Sequence, residues 1–340
     1  MIILCLNLFI PVNALEIEAP PVPDSGKLLM PERTDSFADG IGQLITGAMQ
    51  SLYTDFMEAS RVLICLIATT LLISIINLFH ESLDTLSRVI SAASIGALLL
   101  NSTNSMICLA ADTVMQLNDY GKLLLPVMAT AMAAQGGVTA SSGLYMGTTF
   151  FGTLLNSFLS DFVLDGVYFY LAISLATAAL GEEPLKKIRD TIKNVITWTL
   201  KTILTVFTTY MSITGVISGT TDAAALKAMK VTISSFVPVV GGILSDASET
   251  VLVSAALMKN AAGLYGIFAV LSIFAGTFIK IGIHYLLLKS AGLVCGIFGP
   301  KPTVSLIEDF SVALGILLAV TGSMCLLVLI STVCFMKGVG

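Results

Sequence analysis

Apolar residues along this chain fall into long runs separated by short polar interruptions. A helix needs about 20 apolar residues to cross the hydrocarbon core of a bilayer. Candidate spans are Val62–Phe79, Val89–Ala111, Phe162–Leu180, Val195–Ile217, Ala262–Leu288 and Val312–Phe335. Between the second and third lie two shorter apolar pieces, Leu123–Ala134 and Leu144–Leu159, joined by "QGGVTASSG". This pair reads as a tight hairpin or a re-entrant loop. Apolar and polar residues do not alternate as they would in the strands of an outer-membrane barrel. The pattern predicts an all-α, polytopic helical membrane protein with roughly six to eight membrane-embedded segments.

The N-terminal quarter has its own organisation. "MIILCLNLFIPVNA" is a short apolar run ending in small residues, which predicts a signal peptide over 1–14 although a basic n-region is missing. Residues 15–35 are acidic and Pro-rich, and read as a flexible extracytoplasmic segment. Over 36–60 the apolar positions Phe37, Ile41, Leu44, Ala48, Leu52 and Phe56 repeat at helical spacing, with Asp39, Gln43, Gln50 and Glu58 mostly opposite. This is an amphipathic helix that leads into the first span. It packs on the membrane domain, lies in the outer interface, or docks a partner. Residues 61–340 form the multi-pass membrane domain.

Composition narrows the class. Of 340 residues, 56% are hydrophobic and only 11% charged, whereas soluble domains carry about a quarter charged residues. The net charge of −5 is spread thinly, and no basic block points to nucleic acid. One dense basic cluster sits in "GEEPLKKIRDTIKN", where Lys186, Lys187, Arg189 and Lys193 mark a cytoplasmic loop. A secreted N-terminus agrees with this if 112–161 crosses an even number of times or not at all. Beyond Ile217 two topologies remain. If Asp222–Ala261 does not cross, Lys289 and Lys301 are inside; if it crosses once, Lys259 and Lys337 are inside instead.

The stretch 222–261 carries the most polar residues of the C-terminal half. Thr221-Asp222 can cap a helix through Lys227 and Lys230. Pro238 breaks it, and Gly241 and Gly242 open backbone angles closed to other residues. Asp246-Ala-Ser-Glu249 resembles a capping box for a second helix ending near Lys259 and Gly263. The stretch thus reads as two half-helices around a Pro-Gly-Gly break. Broken helices in membranes often line a substrate or ion path, and acidic residues near the break would then line it. The alternative is an extramembrane helical hairpin with solvated charges.

Catalytic chemistry is not indicated. "HESLD" at His80 has Asp84 where a zinc site needs a second histidine, and neither a phosphate-binding loop nor a nucleophile elbow is present. The chain therefore reads as no enzyme, with no cofactor and no metal. The six cysteines form no CxxC pair and read as small buried hydrophobes. Lys280 and His284, one turn apart, could form a proton relay, and Asn101 and Asn104 could bond a neighbouring helix. Gly143-x3-Gly147, Gly215-x3-Gly219 and Gly292-x3-Gly296 offer faces for close helix approach.

The segment "TGVISGTTDAAALKAMKVTISSFVPVVGGILSDASETVLVSAALMKNAAG", together with "LGEEPLKKIRDTIKNVITWTLK" and the late apolar spans, closely resembles the stage III sporulation protein AE family. The resemblance covers nearly the whole chain after residue 14. It implies a polytopic component in the mother-cell membrane surrounding the forespore. Family members belong to a transenvelope complex, proposed to act as a channel or feeding tube for late forespore development. Implied partners are other stage III A-operon proteins, including an ATPase and ring-forming proteins, and indirectly a forespore-side protein. The AE component would be the export gate or permease-like subunit, without catalysis of its own. The broken-helix residues Asp222, Lys227, Lys230, Pro238, Gly241, Gly242, Asp246, Glu249 and Lys259 are then the candidate conduit. A self-contained ion-coupled transporter and a purely structural membrane scaffold are the competing expectations.

Overall fold

The computed structural model describes residues 20–31, 37–79, 84–135, 138–236 and 241–337; over 214–260 it describes the backbone and not the side chains. The helices are α1 (Asp24–Lys27), α2 (Phe37–Phe79), α3 (Asp84–Ala134), α4 (Val138–Phe158), α5 (Leu164–Leu180), α6 (Glu183–Phe236), α7 (Gly241–Phe298) and α8 (Lys301–Lys337). No strand occurs among the described residues. The expected all-α membrane architecture is present. Five segments are long and apolar enough to cross a membrane: Asp55–Asn77, Leu86–Ala134, Val138–Leu180, Ala261–Phe298 and Lys301–Met336. The predicted span Val195–Ile217 lies in α6, where threonines and Lys201 dilute the apolar run.

The elements are longer than the sequence pattern indicated. Val89–Ala111 and Leu123–Ala134 are parts of one 51-residue helix, α3, which passes through Pro126. Leu144–Leu159 does not form a separate hairpin arm. It belongs to α4, which runs into α5 through a π turn over Leu159–Val163, closed by the Leu164 N–H on the Leu159 carbonyl. The helix starts predicted at Thr221-Asp222 and Asp246 are likewise absent. α6 continues to Phe236 and α7 begins at Gly241, because Ala, Leu, Met and Lys sustain a helix that a single cap signal does not interrupt. Gly263 lies inside α7, packed against Met128 and Met336. Residues 237–240, with Pro238, lie outside the described residues.

α3 and α8 form the centre of the bundle. α8 packs on α3, α4, α5, α6 and α7, and α3 on α2, α4, α5, α7 and α8. α2 pairs with α7 on one flank, and α6 packs on α4 and α5 on the other. Side-chain contacts set the rungs. Arg88 lies over Gly181, Leu175 on Gly96, Tyr168 on Asn104, Thr113 on Thr277, Val328 on Gly121, and Leu124 on Gly266. The start of α3 and the connectors at 181–182 and 299–300 therefore lie at one end, termed the connector end. There Ser74 Oγ donates to the Phe298 carbonyl at 2.8 Å. Gly181 ends α5 in the left-handed region (φ 74°), its N–H on Thr177 O at 2.8 Å. From Arg88 to Met128 the bundle measures about 60 Å at 1.5 Å per residue, roughly twice the hydrocarbon thickness.

Helices in lipid gain little from hydrophobic association with one another, so close packing and interhelical hydrogen bonds hold the bundle. Thr113 bonds Thr277 at 2.6 Å, Thr148 bonds Ser331 at 2.9 Å, and Tyr168 bonds Asn104 at 2.6 Å. The last of these is the interhelical role expected of Asn104. The Tyr210 ring of α6 lies against Gly147, and its hydroxyl donates to the Gly143 carbonyl at 3.0 Å. This G-x3-G face is thus a true site of close approach. Gly292 and Gly296 face Glu308 and Val304 of α8, while Gly215 and Gly219 lie where side chains are not described.

Two local expectations differ from the structure. Residues 20–31 pack on the bundle: Val22 is buried, and Gly26 sits against Val22, Ser272 and Ile273. A single apolar side chain and a glycine small enough to seat the turn suffice to dock this Pro-rich stretch. Cys65 and Cys108 are exposed, whereas Cys295 and Cys325 are buried as the pattern implied. The amphipathic helix is the first part of α2, which covers 43 residues without interruption.

A Val in place of Gly147 would overlap the Tyr210 ring. Gly147→Val should cost about 1–3 kcal/mol from overpacking, seen as a lower thermal midpoint of the purified protein in detergent. Gly282→Ala, where nothing lies within 4 Å of the added carbon, should leave the midpoint unchanged or higher. Equal behaviour of the two variants would refute close packing at Gly147.

Candidate functional site

The most buried charge cluster lies near the connector end. Asp309, 7% exposed, projects from the first third of α8 into the centre of the bundle. Arg189 of α6 donates to it from Nη1 at 2.8 Å, and Tyr170 of α5 donates from its hydroxyl at 3.0 Å. Arg189 also contacts Asp190 at 3.1 Å. Burial opposes the charge on Arg189, but Asp309 and Asp190 outweigh it and raise its pKa above the ordinary guanidinium value. A buried carboxylate needs a partner and filled lone pairs to be tolerated. Here a guanidinium and a phenol supply them, and the result ties α5, α6 and α8 together.

The rest of the predicted topology cluster surrounds this pair. Lys186 hydrogen-bonds Glu183 at 2.6 Å and holds that carboxyl below the usual carboxylate range. Lys187 and Lys193 are exposed. Their common helix is amphipathic over its whole side-chain-described length. Ile196, Leu200, Ile203, Phe207 and Met211 are buried at helical spacing. Lys187, Asp190, Asn194, Lys201, Thr205, Thr208 and Ser212 form an exposed polar stripe on the opposite side. The hydroxyls of Thr205, Thr208 and Ser212 donate to the carbonyls four residues earlier at 2.8 Å. Exposed apolar residues Ile188, Val195, Val206 and Ile213 run alongside it, and exposed Trp198 interrupts it between Asn194 and Lys201.

Height gives this stripe its meaning. Its first half lies at a level where the opposite flank is largely apolar and outward-facing, with Lys289 of α7 and Glu308 of α8 its exposed charges. Ile64 and Leu72 of α2 are 64% and 62% exposed there, and Leu293 of α7 is 75% exposed. One side of the bundle is thus mostly apolar at a depth where the other side gathers Lys187, Asp190, Lys193 and Asn194. The hydroxyls are satisfied within the helix and tolerate lipid; the charged groups and the amide require water or a polar partner.

The predicted conduit residues divide between two long helices. Asp222, Lys227 and Lys230 fall in α6, and Gly241, Gly242, Asp246, Glu249 and Lys259 in α7. Pro238 lies between them, outside the described residues. The side chains of all these positions are not described, so no contact among them enters the site. Lys280 Nζ lies 3.8 Å from Asp55 and 3.7 Å from Glu58 of α2. His284 is buried, with Nδ1 2.9 Å from the Lys280 carbonyl. The two residues therefore face different partners.

Sequence reasoning missed Asp309 and Tyr170. The last span was drawn from Val312, three residues past Asp309, which left that aspartate outside the membrane segment. An acid at the head of a long apolar run was the available signal. The ion pair generates a test. Arg189→Ala would strand a buried carboxylate at a cost of about 3–5 kcal/mol, whereas Arg189→Gln with Asp309→Asn should recover much of it. Thermal stability of the single and double variants in detergent measures the coupling, and additive effects would show that the pair does not bind α6 to α8.

The family profile described as "Stage III sporulation protein AE" matches residues 27–338. Stage III sporulation protein AE of Bacillus subtilis (strain 168) is 22% identical over 265 residues, covering 76% of this chain and 66% of that relative. No solved structure matches the chain. The profile runs from the N-terminal segment docked on α7 to the end of α8, through the ion-paired centre and the polar face of α6, and the chain belongs to the stage III sporulation protein AE family.

Proposed function

We propose that this chain is the membrane gate of the transenvelope channel linking mother cell and forespore, and that the polar stripe of α6 faces its aqueous path. Family membership carries a role in sporulation, and the apolar helices carry a multi-pass membrane location. The single observation behind the finer reading is the α6 stripe. It groups charge and hydroxyls along one helix face at a depth where the opposite flank is mostly apolar, with Lys289 and Glu308 its exposed charges. A path enclosed by several chains, or by this chain and its partners, would give that face the water it requires.

Charge placement orients the reading. Arg88, Lys186, Lys187, Arg189, Lys193, Lys289 and Lys301 gather toward the connector end, densest over 186–193, while Lys122, Lys227, Lys230, Lys259 and Lys337 are spread over the other. By the positive-inside tendency the connector end is cytoplasmic and the N-terminal segment extracytoplasmic. The antiparallel course of α6 and α7 supports the topology in which Asp222–Ala261 does not cross. That stretch is then an extracytoplasmic helical hairpin, suited to meet ring-forming partners. Energy for movement comes from a partner ATPase, and this chain performs no catalysis.

Single cysteines at Thr205, Thr208 and Ser212, in a chain without native cysteines, should react with a membrane-impermeant maleimide in sporulating cells. Cysteines at Val206 and Ile213 should stay protected. Protection of all five positions, or labelling of all five, would remove the stripe as a path lining. A Thr208→Trp variant should reach the membrane at a normal level yet lower spore yield after engulfment. Full yield would count against a narrow conduit at that position.

A further inference from the structure

At the connector end, a cavity of about 300 Å³ opens between α3, α5, α6 and α8. Four cationic residues line it: Arg88, Lys186, Arg189 and Lys301, with Asp309 the one carboxylate in the wall. Asp309 is paired with Arg189 and Tyr170, and Lys186 with Glu183, so the wall keeps a positive excess in which Lys301 is the cation least offset by a carboxylate. Lys301 has no carboxylate within 4 Å among the described residues. Ser305 adds a hydroxyl to the wall. Two long helices begin beside the cavity, α6 at Glu183 and α8 at Lys301, and their N-terminal dipole ends favour negative charge in it.

The surroundings are amphiphilic. Leu86, Val89 and Ile90 flank Arg88 in sequence, Leu180 precedes Gly181, and all four are outward-facing and exposed. A cationic cup with an exposed apolar rim at the end of a membrane bundle matches a phosphate group carrying an acyl tail. The Arg88 guanidinium already reaches over Gly181, with Nη1 2.8 Å from where a β-carbon would sit. The absence of a side chain there keeps the cup open.

We propose that this cavity binds a phosphate group, supplied by the headgroup of an anionic phospholipid or by a free phosphate. The cations provide charge-assisted contacts, and Ser305 provides a neutral one. Occupancy would bridge α3, α6 and α8 at the end where α6 is held by a single buried ion pair. The site does not depend on the conduit reading, because it uses no residue of the exposed α6 stripe.

The test uses the full chain purified in a neutral detergent. Thermal stability is read during titration with dioleoyl phosphatidylglycerol, dioleoyl phosphatidylcholine or inorganic phosphate. Saturable stabilisation by phosphatidylglycerol alone identifies a lipid headgroup as the source. Equal stabilisation by inorganic phosphate at the same free concentration identifies free phosphate. In either case Lys301→Gln, an exposed position that should fold normally, should weaken the response about tenfold, the equivalent of one charge-assisted contact. Arg88→Gln provides a second reading of the same contact. No stabilisation by either anion, or the same response in both variants as in the parent, would overturn the proposal.

Discussion

One buried ion pair governs how this bundle is assembled. Asp309 sits on the most enclosed helix, where an unpartnered carboxylate could not stay ionised. Arg189 can reach it only if α6 lies against α5 and α8 in the observed register. Tyr170 fills the remaining oxygen from α5. Such a pair contributes little net stability against an apolar replacement, but its geometry excludes other arrangements. α6 is the helix that most needs such a device. Its mean apolarity is modest and its outer face is polar, so packing alone would hold it weakly. Below the pair, Ile196, Leu200, Ile203, Phe207 and Met211 take over, and Tyr210 on Gly147 closes the lower contact.

The fold class was legible from sequence because it rests on composition; the basic cluster was legible as a cluster, but Lys186, Lys187, Arg189 and Lys193, expected in a loop, lie in the first turns of α6. Apolar runs of span length and a lysine-rich interruption depend on no tertiary information. Element lengths were not legible in the same way. The polar interruptions at Asp112, Asn118 and Asp119 look like a helix end, yet α3 runs through them, because Asp112 and Asp119 turn outward and Asn118 is taken into the bundle while the helix continues. The π turn at Leu159–Val163 similarly lets Asp161 face outward without ending the rod. Gly143-x3-Gly147 was legible as a small face, and only its partner, an aromatic ring instead of another backbone, was not. Asp309 was hidden by a boundary placed three residues late. Its partner Arg189 was visible but read as a topology signal alone.

That double role of Arg189 has a physical basis. A basic residue at a membrane boundary serves orientation during insertion, when no bundle exists to bury it. Once α8 is present, the same guanidinium finds a carboxylate within reach, and its neighbours Lys187 and Lys193 remain solvated. Orientation and packing therefore draw on one cluster at different stages. The exposed stripe beginning at Lys187 and Asp190 continues in the same helical register, so fixing Arg189 inward also fixes which residues face outward. The side chain that docks α6 thereby sets the direction of its polar face.

Bundle length sharpens the consequence. A bilayer covers about half of a 60 Å bundle, so part of it must project into water whichever depth it adopts. On the α2 and α7 flank the outward apolar residues concentrate toward the connector end, from Ile64 to Leu72 and, around exposed Lys289, from Leu286 to Ile297. Seating that half in lipid leaves the opposite half, with Asp119, Lys122 and the ends of α6 and α7, outside the hydrocarbon. It also carries the charged part of the α6 stripe into the membrane, on the flank away from α2. A chain alone in lipid would pay for this with water drawn into the bilayer. An assembly that places α6 flanks toward one another would satisfy it with no change in the chain itself. The polarity of one helix face, fixed by a pair on its reverse side, is in this way a constraint on how copies or partners must surround it.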